Sequence, residues 1–252
     1  MTMKSSIYIE ATGGKNGTQL SDLFLEAPYK IMSPFYDRDT MQLMQMCACP
    51  GLFGGDHVSM SLHIKEQAKV EYLTQSYEKI FPERTGKEAS RITQISLGEQ
   101  ASLRFLPKPV IPFANSSFSG ETVIRGCASS TLQYCDIVAS GRVAMNEQFQ
   151  MERYENRLRI YIGEKLVFFD HMKLCPAQFV HSGLGHFGTY THCGMLYCYS
   201  PLMPEEFDHE VRDLAEGRNL LVGVSRCEMG YVIRTLADRA QDIQNFYQEI
   251  RL

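Results

Sequence analysis

The stretches IKEQAKVEYL (residues 64–73) and LGEQASLRFL (residues 97–106) decide the fold, because they are near-copies 33 residues apart. A weaker third copy, GCASSTLQYC (residues 126–135), begins 29 residues later, and IYIGEKLVFFD (residues 160–170) is a shortened fourth unit that turns at Gly163. Each unit has a polar turn followed by alternating apolar residues, which is typical of strands with one buried face. Strand repeats of about 30 residues predict stacked β units around a shared core. The alternative interpretation is a chance likeness between hairpins.

The N-terminal part of the chain is also predicted to consist of strands and turns. An Asn-Gly pair within residues 13–17 predicts a hairpin between strands at residues 6–12 and 20–25. Residues 41–46 form a short apolar run whose type the pattern leaves undecided.

Two helices are predicted in the C-terminal third, at residues 205–218 and 238–252. In the first, Phe207, Val211 and Leu214 recur at helical spacing, which gives one apolar stripe. The other elements predicted in this part are strands, at residues 180–200, 220–224 and 231–236. The sequence therefore predicts a mainly β, β-helical (solenoid-like) stack of strands with two α-helices in the C-terminal third, forming a single domain over residues 1–252.

The composition narrows the class of protein. The 252 residues carry a formal net charge of −4 and no long basic run, so a nucleic-acid-binding surface is not expected. The N-terminus has no apolar segment of the kind that precedes a secretory cleavage site, and no window approaches 18 apolar residues. We therefore expect a cytoplasmic protein without membrane partners, whose eight cysteines are free thiols.

Common enzyme motifs are missing. The Gly86-Lys87 pair is followed by Glu88 rather than Ser or Thr, so it does not complete a Walker A loop. The chain also lacks a GxSxG nucleophile elbow, an HExxH motif and a CxxC pair. A nucleotide-hydrolysing enzyme or an ordinary hydrolase therefore has no support in the sequence.

Three acids stand out by their position. Asp136 follows Leu132 and Tyr134 in period-2 phase, Asp170 continues the same pattern in its own strand, and Asp56 follows a Gly-Gly corner. A buried carboxylate must be ion-paired, hydrogen-bonded or bound to a metal. Asp56 is either a turn-stabilising side chain or a ligand.

The two in-phase acids also have structural alternatives. One is that each strand ends before its acid, which then lies in a loop. The other is an ion pair between Asp136 and Arg142, which share one face if the strand continues.

Two groups of soft ligands are present. Cys47 and Cys49 form a CxC pair, and His57 and His63 follow within a few residues. Thiolate and imidazole suit zinc, copper or nickel, although a free cysteine also serves as a small buried apolar residue. A second group lies further along the chain and consists of His181, His186, His192 and Cys193.

Several motifs, in their order along the chain, resemble the UreD/UreH family of urease accessory proteins. They are SPFYDRD (33–39), CPGLFGGD (49–56), LTQSYEKIF (73–81), LGEQASLRFLPKPVIPFANSSF (97–118) and YCDIVASGRVAMNEQF (134–149). The resemblance weakens toward the C-terminus and is poor around residues 181–193. The cysteines at positions 47 and 49 depart from the family pattern, which more often has apolar or small residues there.

The resemblance implies a β-helical, non-catalytic maturation factor. Members bind the accessory protein UreF and through it the GTPase UreG, and this heteromeric two-fold assembly docks on apo-urease and assists nickel delivery. No cofactor is expected to be bound permanently, and nickel is expected only in transit along an internal path. The rival hypotheses are a pure interaction scaffold and an enzyme that uses Cys49 with a histidine.

The resemblance also assigns residues. The acid of the GGD motif is Asp56, the acid before the GR motif is Asp136, and the GR motif supplies Arg142 and Glu147. Asp170 matches more loosely an acid that follows a strand in the family. We therefore expect Asp56, Asp136, Asp170 and Glu147 along the nickel path and Arg142 in a structural ion pair.

Overall fold

The computed structural model describes residues 2–82, 86–181, 183 and 186–252. This part of the chain contains eighteen strands: β1 (Lys4–Thr12), β2 (Gln19–Leu25), β3 (Tyr29–Ile31), β4 (Phe35–Asp37), β5 (Thr40–Cys47), β6 (His57–Ile64), β7 (Lys69–Thr74), β8 (Glu78–Ile80), β9 (Ala89–Leu97), β10 (Ser102–Leu106), β11 (Val110–Pro112), β12 (Ser117–Gly126), β13 (Thr131–Ala139), β14 (Arg153–Ile162), β15 (Lys165–Leu174), β16 (His192–Tyr199), β17 (Leu221–Arg226) and β18 (Tyr231–Ala237). Helices α1 (Phe207–Ala215) and α2 (Ala240–Glu249) lie in the C-terminal third, and Val143–Met145 forms one 3-10 turn.

The strands form two sheets that the chain visits alternately. One sheet has seven strands in the order β15-β14-β12-β9-β6-β1-β2, and the other has eleven, with β5, β7, β10 and β13 as parallel neighbours. The path from β5 to β14 therefore winds as a β-solenoid of about four turns. The mainly β, β-helical fold that the sequence predicts is confirmed.

The repeat is confirmed in register. Val70 pairs with Leu103, and Leu103 pairs with Leu132, as the aligned copies require. Tyr72, Phe105 and Tyr134 occupy the next inward positions, and their rings stack with centroids 4.6 and 5.3 Å apart. The alternating residues of each copy therefore form continuous columns inside the solenoid, where stacked aromatic rings add to the burial of apolar surface.

The fourth unit is not a solenoid turn. Its first strand, β14, pairs in parallel with β12 as expected, but β15 returns antiparallel to β14 in the same sheet. The reason is the two-residue loop at Gly163 and Glu164, where Gly163 has a φ of +60° that suits a tight hairpin turn. Strand β15 of this hairpin is the edge strand of the seven-stranded sheet.

Both predicted N-terminal strands are present as the antiparallel hairpin β1–β2, and the undecided run at residues 41–46 lies within β5. The predicted strand over residues 180–200 is wrong in its first half, because only β16 is a strand there. Turn hydrogen bonds, such as Tyr190 N–H to the Phe187 carbonyl at 3.0 Å, shape the residues before it. Residues 182, 184 and 185 of that prediction lie outside the described chain.

The two helices pack against the outer face of the eleven-stranded sheet. Helix α2 contacts β13, β16 and β18 through an apolar stripe that includes Ile243, Phe246 and Tyr247. Helix α1 is shorter than predicted, since Pro204 precedes it and Gly217, at a φ of +70°, follows it. Among the residues described, no helix has the length and apolar character needed to cross a membrane.

Candidate functional site

A cavity of about 430 Å³ with a mixed apolar and polar lining lies inside the solenoid, between the two sheets. Cys47 and Cys49 border one part of it, and Asp136 and Asn156 border another. Tyrosine hydroxyls, threonines and an ion pair line the space between them. The other polar lining residues include Tyr29, Gln45, Tyr72, Thr74, Ser76, Tyr77, Glu78, Lys79, Arg91, Thr93, Lys108, Glu121, Thr122 and Tyr134.

Asp136 projects from β13 into this cavity, as its period-2 phase predicts. Its carboxylate accepts a hydrogen bond from Asn156 Nδ2 on the facing sheet. Because Asp136 is the inward neighbour of Tyr134 and belongs to a regular strand, its position does not depend on a loop. The alternative that the strand ends before this acid is wrong.

Burial raises the pKa of Asp136, and the Asp170 carboxylate raises it further, whereas the Asn156 amide opposes the shift. The side chain is half-buried, and the surface that it keeps faces the cavity. A carboxylate in such a position is costly to ionise, so a cation that binds there recovers part of this cost.

Asp170 lies on β15 with Leu158 opposite, and therefore also points inward. Leu166 does not share its face, because the pairing passes from Tyr161–Leu166 to Ile160–Phe168 and leaves Val167 as a bulge. Asp170 forms an ion pair with Arg234.

A separate groove of about 610 Å³ is bordered by Asp170, Arg234, Cys193 and His186. Burial raises the pKa of the Cys193 thiol to about 12, and Asp136 and Asp170 both contribute to that rise. The two carboxylates are therefore electrostatically coupled, one facing the cavity and the other facing the groove.

The ion pair within the cavity lining joins Arg91 on β9 to Glu78 on β8. The sequence analysis missed both residues. Arg91 is in phase with the buried Ile95 and Leu97, and Glu78 is in phase with the buried Ile80, so the alternation that selected Asp136 also marks these two.

Cys47 and Cys49 approach one another, with their sulfur atoms 3.2 Å apart. Burial raises the pKa of the Cys47 thiol to about 11. His57 and His63 lie elsewhere, because they alternate with the inward residues of β6 and bond instead to Ser90 and Ser96 on the outer face, at 3.0 and 2.7 Å.

The structure therefore does not bring the predicted CxC and histidine ligands together. Within residues 2–82, 86–181, 183 and 186–252, no three His, Cys, Asp or Glu side chains converge as a metal-binding group.

Asp56 stabilises a turn. One carboxylate oxygen accepts the Met3 amide at 2.8 Å, and the other accepts the Phe53 amide at 2.9 Å. The side chain is buried, and it is not among the residues that border the cavity. Asp56 thus fixes the glycine corner to the start of β1.

Glu147 and Arg142 pair with each other. Both carboxylate oxygens of Glu147 accept a hydrogen bond from Arg142 Nε at 3.0 Å. The Oε1 atom also accepts the Ala114 amide at 2.7 Å. The proposed Asp136–Arg142 pair is wrong, because β13 ends at Ala139 and the chain turns before Arg142. The Arg142 guanidinium also lies 4.5 Å from the centroid of the Phe113 ring.

The second soft-ligand group brings two of its members together, His181 and His186, whose ring centroids lie 5.5 Å apart. His181 is buried and accepts the Cys175 amide at Nε2, at 2.9 Å, while His192 bonds to Thr191 at 2.8 Å. His186 and Cys193 border the groove. Residues 183–188 carry the GxGxxG spacing of a dinucleotide loop, which the sequence analysis overlooked, but the next described element is strand β16 rather than a helix.

Comparison with known proteins identifies the family of this chain. The model of the family described as UreD urease accessory protein matches residues 4–252. Urease accessory protein UreH of Helicobacter hepaticus is 33% identical over 99% of this chain and 98% of its own length. UreD of Acetivibrio thermocellus is 31% identical over 98% and 96%, and UreH of Helicobacter pylori is 38% identical over 75% and 72%. The chain belongs to the UreD family of urease accessory proteins.

Proposed function

We propose that this protein is a non-catalytic maturation factor that guides nickel through its interior to apo-urease. It binds a UreF-like protein and, through it, a UreG-like GTPase, in a cytoplasmic heteromeric assembly of two-fold symmetry. The observation that supports this most directly is Asp136, whose carboxylate borders a cavity inside the solenoid, among buried apolar side chains. Nickel is cargo here, and the protein holds no permanent cofactor.

The path that we propose runs from Cys47 and Cys49, along the cavity, to Asp136, and then past Asp170 into the groove. Its ligands are single carboxylates and thiols rather than a closed coordination shell. Passage requires binding that is favourable enough for entry and weak enough for release. Spaced single ligands meet that requirement better than a three- or four-ligand site.

Asp56 and Glu147 are assigned structural roles in this proposal. Both carboxylates are already engaged by backbone amides, and Glu147 also by Arg142. Binding of a metal ion at either acid would break these bonds and expose the freed donors as unpaired groups. Their effect on nickel transfer is therefore expected to act through folding.

The test is urease activation in cells that express the urease gene cluster with an Asp136→Asn variant. The amide keeps the acceptor for Asn156 but removes the charge, so we expect normal assembly and urease with at least tenfold less nickel. The control is Glu164→Gln, an exposed acid in the turn between β14 and β15 that does not border the cavity. It should leave the nickel content of urease unchanged.

A pure interaction scaffold is the second candidate. It predicts that Asp136→Asn leaves the nickel content of urease unchanged once the complex has formed. Co-purification of the partners together with metal analysis of urease separates the two functions, since assembly and nickel loading are measured independently.

A further inference from the structure

Arg91 places a permanent positive charge inside the cavity that we propose as a cation path. Residues on β9 alternate, and Arg91 lies on the inward side with Thr93 and Ile95. Arginine remains protonated at any physiological pH, so this charge cannot be titrated away. A nickel ion that crosses the cavity must therefore pass a fixed cation.

Glu78 compensates that charge. Its Oε2 atom is buried and pairs with Arg91 Nη2. Both side chains border the cavity, and they keep 20% and 28% of their surface, respectively. Each side chain is therefore partly accessible, while the paired Oε2 atom of Glu78 is buried.

Arg91 acts on both parts of the cavity. Its charge opposes the rise in pKa of the Cys47 thiol in one part and of the Asp136 carboxyl in the other. It opposes the same rise for Tyr72 and Tyr134, which lie between them in the aromatic column. Arg91 thus lies within electrostatic range of Cys47 and Asp136, two of the ligands that we assign to the path.

We propose that Glu78 is a cation-binding site of the cavity and that Arg91 is the resident counterion, which a divalent cation displaces on entry. This inference rests on the proposed function and adds a step to it. Loss of the guanidinium alone would leave a shielded carboxylate unpaired, whereas a divalent cation that replaces it keeps the carboxylate compensated and leaves a net positive charge at the site. The displaced Arg91 then repels a second cation, which limits occupancy to one ion at a time.

The two halves of the pair give opposite predictions. Arg91→Gln leaves Glu78 as a free carboxylate in the cavity, so Ni²⁺ should bind at least tenfold more tightly. Glu78→Gln leaves Arg91 uncompensated, so Ni²⁺ should bind at least tenfold more weakly. The double variant removes both charges and should bind Ni²⁺ more weakly than Arg91→Gln but more tightly than Glu78→Gln.

The experiment is equilibrium dialysis of Ni²⁺ against the full-length chain, with thermal unfolding of each variant as a check on folding. Arg218→Gln is the control, because it breaks an ion pair with Glu249 on the helical surface, outside the cavity. If one single variant fails to fold, comparison of the other with the wild type still tests the site, because each single variant has its own predicted direction.

The outcomes separate this inference from the proposed function. Opposite shifts for the two single variants support the exchange. Equal affinities in the wild type and both variants, together with weaker binding by Asp136→Asn, overturn the role of Glu78 and leave the nickel path standing. If neither the wild type nor Arg91→Gln binds Ni²⁺, both the site and the path are wrong.

Discussion

Asn156 on the seven-stranded sheet donates a hydrogen bond to Asp136 on the eleven-stranded sheet, across the interior of the solenoid. Both side chains are polar, so burial of apolar surface does not explain why they point inward. Each occupies an inward position because the strand alternation places it there, Asp136 after Tyr134 and Asn156 after Tyr154. The bond therefore joins the two sheets across the cavity. Its loss should lower both the free energy of unfolding and the affinity for Ni²⁺.

The first prediction concerns the pH dependence of stability with Asp136→Asn. Because the pKa of Asp136 is raised in the folded state, the native protein holds the proton more tightly than the unfolded chain does. Wild-type stability therefore falls as the pH rises from the unfolded pKa of about 3.9 through the raised native value. The variant lacks this loss.

Thermal unfolding between pH 4 and pH 8 measures the difference. The variant should be at least as stable as the wild type at pH 7, with Tm higher by ~2–4 °C per kcal/mol of ionisation cost removed, and the gap should close toward pH 4. A variant that is less stable at pH 7 would show that the Asp136 carboxylate stabilises the fold.

The second prediction concerns Gly120→Ala. A β-carbon at Gly120 would lie 2.3 Å from Asn156 Oδ1 and 3.0 Å from Phe118 Cε1. Asn156 must then move away from Asp136, so we expect a loss of ~1–3 kcal/mol in the free energy of unfolding and weaker binding of Ni²⁺. Urea unfolding and equilibrium dialysis measure the two effects.

The double variant Gly120→Ala with Asn156→Ala distinguishes this clash from a general cost of alanine at the position. Removal of the Asn156 amide removes the clashing atom, so the two changes should cost less together than the sum of their separate costs. Additive losses would mean that Gly120 matters for another reason.

The alternation of residues was sufficient to predict the solenoid and the inward position of Asp136. The repeated copies align in the register in which their strands pair, from Val70 through Leu103 to Leu132. Asp136 follows from the same rule, because side chains two apart on a strand share one face.

The errors arose where this rule is interrupted. The bulge at Val167 reverses the face of Leu166, and the hairpin turn at Gly163 ends the solenoid one unit early. The partners of charged groups were also beyond the pattern. Alternation shows that Arg91 points inward, but its pairing with Glu78 depends on how β8 and β9 are arranged in space.

The third prediction concerns Glu147→Gln. The Arg142 guanidinium lowers the pKa of Glu147, so this acid stabilises the fold above its unfolded pKa of about 4.3, and the contribution is lost as the pH falls through the lower native value. The variant should lose ~1–3 kcal/mol at pH 7 and converge on the wild type in acid.

Urea unfolding at pH 7 and at pH 4 tests this dependence, and Ni²⁺ binding by the folded variant tests the structural assignment. Affinity should be unchanged, because Glu147 bonds to Arg142 and the Ala114 amide and does not border the cavity. Weaker Ni²⁺ binding by a folded variant would return Glu147 to the metal path.

The fourth prediction concerns the attachment of helix α2. A β-carbon at Gly194 on β16 would lie 2.7 Å from Ile243 Cγ2 and 2.9 Å from the Tyr247 hydroxyl. Gly194→Ala should therefore push the helix away from the sheet, lower the free energy of unfolding by ~1–3 kcal/mol and speed proteolysis after residue 237. Gly223→Ala, on strand β17 of the same sheet, is the matched control, since a β-carbon at Gly223 would meet no atom within 4 Å.

Because α2 packs on the outer face of the sheet, Ni²⁺ binding in the cavity should survive in Gly194→Ala. A parallel loss of Ni²⁺ binding would show that the outer helix and the interior path are coupled through β13 and β16.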